Sequence, residues 1–239
     1  MNHYYYLLAN LLSVLFPFVL SFDKKVAFYK QWKYLWPGTL ITGLFFIGWD
    51  QLFTTWQIWT FNPEYLLGIY VGVLPVEEIL FFFTIPYACT FVYECLNYYI
   101  KKDLLQKAEP WFSYLFIVLN IFLIFNFTKQ LHTSVTSLFI ATLLFQLKLI
   151  YKSRWLGRFW LAYLVCLIPF LIVNGILTSL PVFNYHPNMN TGIRIFTIPI
   201  EDGFYNFLLM LMNIGFFEWL RRKTKVSPLP IETTRVNEQ

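Results

Sequence analysis

Charge is scarce in this chain, and so are the residues that bind metals and nucleotides. Only 13% of its 239 residues are Asp, Glu, Lys or Arg, and it has three His and three Cys. His3, His132 and His186 are far apart and form no His-x-x-x-His, which removes the usual helical pair for iron or zinc. No Gly-x-Gly-x-x-Gly and no Walker loop is present, so neither a dinucleotide nor a nucleoside triphosphate has its usual cradle. Asp-x-x-Asp, which would hold magnesium pyrophosphate, is missing, and so is the Gly-x-Ser-x-Gly elbow of hydrolases. Cys89, Cys95 and Cys166 form no Cys-x-x-Cys pair and read as packing residues. No cofactor is expected.

What the chain has instead is apolar surface: 58% hydrophobic residues, 22% of the total aromatic. Several runs approach the roughly 20 residues that cross a bilayer. The pattern predicts seven helices over about 2–20, 36–54, 70–99 (long, with a break near Pro75), 111–127, 133–151, 159–179 and 197–220. The first run lacks a basic start and a small-residue cleavage site, so it reads as a retained helix rather than a signal peptide. From about Ser227 the composition reads as a disordered tail.

A net charge of +5 invites a nucleic-acid reading, but its distribution argues for a membrane. Sixteen of the eighteen basic residues follow helices 1, 3, 5 and 7; only Lys129 and Arg194 fall on the other side. That asymmetry predicts the N-terminus outside and the C-terminus in the cytoplasm, with the basic stripes against lipid headgroups.

Pro75-Val76-Glu77-Glu78 and Pro199-Ile200-Glu201-Asp202 lie 124 residues apart, and the alignment around them holds without a gap. Thr54 meets Thr178, Pro63 meets Pro187, Gly68-Ile69 meets Gly192-Ile193, Phe83 meets Phe207 and Glu94 meets Glu218. Asp50 is matched by Asn174, Phe61 by Tyr185 and Phe81 by Tyr205. An internal duplication follows. The expected fold is all-α: a polytopic membrane protein of two parallel three-helix repeats joined by an extra helix. Its parts are 1–104 (helices 1–3), a linking helix in 105–128, 129–226 (helices 5–7) and the tail 227–239.

An ionised carboxylate inside a membrane is costly and usually functional. Glu77, Glu78, Glu201 and Asp202 are therefore the candidate catalytic groups. A structural alternative is that proline takes the first helical position and the acids sit on the positive end of the helix dipole. Adjacent helical residues diverge by about 100°, so one acid of each pair faces a cavity and the other its rim; which is which stays open. Glu94 and Glu218, beside basic residues, read as interfacial salt-bridge partners. Phe81, Phe83, Tyr205, Phe207 and Trp59 are candidates to line the site, with ring faces that can shield a cation. Asn62, His186 and Arg194 are polar candidates. Arg194 could hold Glu201 ionised, and His186 could relay a proton or simply be exposed. Gly68 and Gly72 form a Gly-x-x-x-Gly, lost in the second half where Phe196 stands.

The two Pro-x-Glu-Glu/Asp motifs, each preceded by an aromatic-x-Pro (Phe61-Asn62-Pro63, Tyr185-His186-Pro187) and a Gly, resemble the lycopene cyclase domain over about residues 1–222. This is the membrane carotenoid cyclase that occurs as two small subunits or as their fusion. The resemblance implies cofactor-free β-cyclisation of lycopene or a related acyclic carotenoid, with the family's acids mapping onto Glu77, Glu78, Glu201 and Asp202. The implied partners are that substrate and membrane lipids, with no nucleic acid, in a bacterial inner membrane. A carotenoid end-group hydratase and a proton-coupled transporter are the alternatives.

Overall fold

The computed structural model describes residues 2–225. The tail expected from Ser227 lies outside the described residues. Seven α-helices carry the chain: α1 (Tyr5–Leu20), α2 (Trp32–Thr55), α3 (Val76–Tyr99), α4 (Glu109–Asn126), α5 (Leu131–Phe145), α6 (Leu156–Ser179) and α7 (Ile200–Lys225). A π-helical turn, Gln146–Ile150, extends α5. Among the described residues four segments are long and apolar enough to cross a membrane by themselves: α3, α4, α5 with its extension, and α6. α1 is apolar but only 16 residues long. Leu8, Leu12, Phe16 and Val19 on α1, Trp111, Leu115, Val118 and Phe125 on α4, and Ile168 and Ile172 on α6 are exposed. Such continuous apolar faces would be a liability in water and suit lipid.

The α2–α3 and α6–α7 connections are not plain loops. They hold β1 (Trp59–Phe61), β2 (Tyr70–Val71), β3 (Leu74–Pro75), β4 (Phe183–Tyr185), β5 (Arg194–Ile195) and β6 (Ile198–Pro199). β2 and β3 form one hairpin and β5 and β6 another, while β1 pairs antiparallel with β4. That ribbon is centred on Thr60 opposite Asn184, the residue 124 positions later. α2 and α6, β1 and β4, β2 and β5, and β3 and β6 begin and end at the same interval, and α3 and α7 begin at it.

The hairpins correct two helix boundaries. The helix expected from residue 70 begins at Val76, and the one expected from 197 begins at Ile200. Pro75, with ψ 150°, is the extended residue ahead of α3 rather than its first helical residue, because Tyr70 pairs with it across the hairpin. The Val76 amide then donates to the Ile69 carbonyl at 2.9 Å, and Ile200 does the same to Ile193 at 3.0 Å. Both glycines of the Gly-x-x-x-Gly lie in this connection, at φ +80° and +65°, so they serve the turns; Gly72 lies against the Gln51 side chain of α2, and nothing lies within 4 Å of where a Gly68 Cβ would stand. Phe196 takes the second of these positions in the other half, at φ +55°.

The core joins the two parts of the chain. α2 packs on α3 and α7, α3 on α1 and α6, and α5 on α4 and α7. At the middle of the bundle the Thr39 hydroxyl donates to the Asn213 Oδ1 (2.9 Å), and the Asn213 amide donates to the Thr90 hydroxyl (2.8 Å). At the end away from the hairpins Arg221 spans Glu94 (2.9 Å) and Glu218, and the Tyr93 hydroxyl donates to Glu218 (2.7 Å). This is the ion pairing expected of the two matched glutamates.

Candidate active site

Glu77 and Glu78 open α3, and Glu201 and Asp202 open α7, so the hairpins that end at Pro75 and Pro199 set where each acid points. Within each pair the two acids part. Glu77 and Glu201, both wholly buried, turn back to the connection in front of their helix. Glu77 Oε1 accepts from the Leu67 amide at 2.6 Å, and Glu201 Oε1 accepts from the Thr191 amide at 2.6 Å and the Thr133 hydroxyl at 2.7 Å. The second oxygen of each, Oε2, has no partner among the described residues. Glu78 and Asp202 instead line a cavity of about 60 Å³. That is room for a few waters, so an isoprenoid end group has to push the lining rings apart.

The cavity draws on both parts of the chain. Tyr6 of α1, Asp50 of α2, Glu78 and Phe81 of α3, His132 of α5, Phe170 and Asn174 of α6, and Asp202, Tyr205 and Asn206 of α7 line it, with Trp59, Phe183 and Tyr185 from the β1–β4 ribbon. The Tyr6 hydroxyl donates to Glu78 Oε2 at 2.5 Å. Tyr205 donates to Asp50 Oδ1. The Asp50 and Glu78 carboxyls line the same cavity from the neighbouring helices α2 and α3. Across the cavity Asp202 Oδ2 accepts from Tyr185 at 2.7 Å and from the Asn174 amide at 2.9 Å. Burial, and then the Asp202 carboxylate, hold the Tyr185 phenol well above its ordinary pKa, so it remains a donor.

Of the aromatic candidates, Phe81, Trp59 and Tyr205 line the cavity. Phe83 and Phe207 do not. Five residues after Glu78 and Asp202, they are turned about 140° away from them. Phe83 lies against Gly43, and Phe207 is buried among Phe116, Phe159, Trp160 and Tyr163. Asn62 caps the short turn that follows it by accepting from the Glu64 amide at 3.1 Å. His186 is exposed, and its Nδ1 accepts from the Asn188 amide at 3.3 Å. The expected Arg194–Glu201 pairing does not form. Arg194 donates to the Thr197 carbonyl at 2.7 Å and lies over the Tyr185 ring, 5.8 Å from its centre.

Tyr6, Asp50, His132, Phe170, Asn174, Phe183, Tyr185 and Asn206 were not among the site candidates the sequence offered. For Asp50 a signal existed: it is an acid in an apolar helix, opposite Asn174 in the repeat. His132 is 2% exposed, and neither ring nitrogen has a partner among the described residues. Its ring meets Trp59 edge to face at 5.0 Å.

A second cavity, about 660 Å³ and largely apolar, opens between α2, α5 and α7, lined among others by Phe45, Phe139, Leu143, Leu208 and Met212. Trp49 stands between the two, its ring 5.0 Å from that of Phe139 and 5.8 Å from that of Tyr205.

No match was found among curated proteins or solved structures. The family described as lycopene cyclase matches over residues 3–96 and again over 129–220. The first segment ends with α3 and the second spans α5 to α7, so each match carries one acidic motif and one hairpin. These two matches cover most of the chain, and it belongs to the lycopene cyclase family.

Proposed function

We propose that the protein is a lycopene β-cyclase in which one cavity, faced by Glu78 and Asp202, converts carotenoid ψ end groups to β-rings. The observation that carries this reading is the meeting of acids from two helices, 124 residues apart in sequence, across one aromatic-lined cavity. A carboxylic acid adds a proton to C2 of the end group, and the C1=C2 π pair forms the new C–H bond. The resulting C1 cation is attacked by the C5=C6 double bond, closing the C1–C6 bond and moving the charge to C5. A carboxylate removes the C6 proton, which restores the C5=C6 bond. Substrate and product are isomers, so no redox partner is consumed. Trp59, Phe81 and Tyr205 offer ring faces to the cation and exclude water that would otherwise add to it. The apolar cavity beyond Trp49 gives the polyene chain a path away from the acids.

In this reading residues 1–104 and 129–226 are parallel repeats about a pseudo-twofold axis through the β1–β4 ribbon, with α4 the extra crossing. The Thr60–Asn184 centre of that ribbon supports the axis. The seven helices then cross a bacterial inner membrane with the N-terminus outside, and the acids lie toward the outer face.

The test is pigment chromatography of lycopene-accumulating bacteria that express the chain. A cyclic isomer of unchanged mass is expected. An oxygenated product identifies a hydratase, and unchanged lycopene beside well-expressed protein removes the cyclase reading.

A further inference from the structure

Three carboxyls, Asp50, Glu78 and Asp202, face the same cavity, and no Lys or Arg is among the residues lining it. Three buried anions around one small cavity with no Lys or Arg beside them are not sustainable, so at least one group holds a proton. The hydrogen bonds say where. Asp50 and Glu78 come from α2 and α3, which pack on each other, and among the described residues each accepts a single donor, Tyr205 for Asp50 and Tyr6 for Glu78. Two carboxyls so placed are relieved of their mutual repulsion when one proton lies between them.

The opposite wall is built differently. At the position equivalent to Asp50 stands Asn174, whose amide donates to Asp202 Oδ2 together with the Tyr185 hydroxyl. Two donors on one carboxyl oxygen suit an anion, where Glu78 and Asp50 each have one. The cation nearest this wall, Arg194, lies over the Tyr185 ring and so favours the charged form of Asp202. His132 and Asn206, buried and without side-chain partners among the described residues, face the same cavity, which marks it as polar space made for a ligand.

We infer that the Asp50–Glu78 pair holds the proton that starts cyclisation and that Asp202 is the base that ends it. This rests on the β-cyclase reading above. The proton moves from the pair, through Glu78, to C2; the C6 proton goes to Asp202; solvent returns one proton to the pair and takes one from Asp202. Asp50 acts through Glu78 and is a positioning residue. The replacement of aspartate by asparagine between equivalent positions therefore divides the labour of two otherwise similar halves.

The roles separate in heavy water. Purified full-length protein in liposomes is given lycopene in D2O, and both recovered substrate and product are weighed by mass spectrometry. Wild type is expected to add one deuterium per ring. Asp202→Asn is expected to lose ring formation at least about 100-fold, as loss of a general base does, while its recovered lycopene gains deuterium because the cation forms and reverts. Asp50→Asn and Glu78→Gln are expected to give neither ring nor deuterium. Asp50→Glu, which keeps the shared proton, is expected to restore ring formation to Asp50→Asn.

Rings formed by Asp50→Asn at the wild-type rate overturn the inference. So does deuterated lycopene from Asp50→Asn but not from Asp202→Asn. If Asp50→Asn does not fold, a folded but inactive Asp50→Glu overturns it equally. Wild-type protein that forms no ring at all removes the β-cyclase reading instead, so the two failures are distinct.

Discussion

Replacing the two acids of one motif should give opposite results, although they are neighbours. Glu77 is buried and accepts a 2.6 Å bond from the Leu67 amide, away from the cavity. Glu77→Gln keeps an oxygen acceptor there but puts an amide NH2 at the position of the unpartnered Oε2. A buried donor left without an acceptor costs roughly 1–3 kcal/mol, so the loss is at least about 1 kcal/mol. For a chain of this size each ~1 kcal/mol lowers Tm by about 2–4 °C. Glu201, whose Oε2 is likewise without a partner among the described residues, should lose a similar amount on Glu201→Gln. Both variants should still cyclise, within about tenfold of wild type, since a general acid or base contributes 10²–10⁴ and neither residue lines the cavity.

Glu78→Gln and Asp202→Asn should do the reverse. Each replaces a carboxyl facing the cavity by a neutral amide that still accepts from Tyr6 or Tyr185. Turnover should fall about 100-fold or more while Tm holds or rises, as happens when a costly buried acid is removed from a working site. The measurements are pigment conversion and the Tm of detergent-solubilised protein. Glu77→Gln with wild-type Tm and no turnover, beside an active Glu78→Gln, would refute the reasoning.

Two further outcomes concern the scaffold. Arg221→Met leaves Glu94 and Glu218 facing each other without their shared cation, which should cost about 3–5 kcal/mol; adding Glu94→Gln and Glu218→Gln should restore much of the Tm. Gly38→Ala puts a methyl 2.9 Å from the Phe216 Cβ at the α2–α7 contact, and a folded protein with wild-type Tm would contradict the expected loss of about 1–3 kcal/mol.

The sequence was enough to find the repeat and its acids. Carboxylates stand out in an apolar run because nothing nearby is polar, and the 124-residue interval is carried by Pro, Gly, Thr and Glu, which hold particular backbone positions. Helix number followed from apolar length, and the pairing of Glu218 with Arg221 followed from helical spacing, whereas Glu94 meets Arg221 only through the packing of α3 on α7. The direction of each acid did not follow. It depends on two hairpins, after which α3 and α7 begin at Val76 and Ile200 with Glu77 and Glu201 turned toward Leu67 and Thr191. Periodicity does not register six-residue hairpins that look as apolar as the helices they precede.

Asp50 shows the other limit. Glu78, which lines the same cavity, and Tyr205, which donates to Asp50, stand 28 and 155 residues away. They meet because α2 packs on both α3 and α7, a choice made by the shapes of helix faces such as Gly38 against Phe216. Residue type and spacing thus determined that this chain carries paired acids in an apolar helical bundle. Which of them line one cavity together was decided only by the packing of one half of the chain against the other.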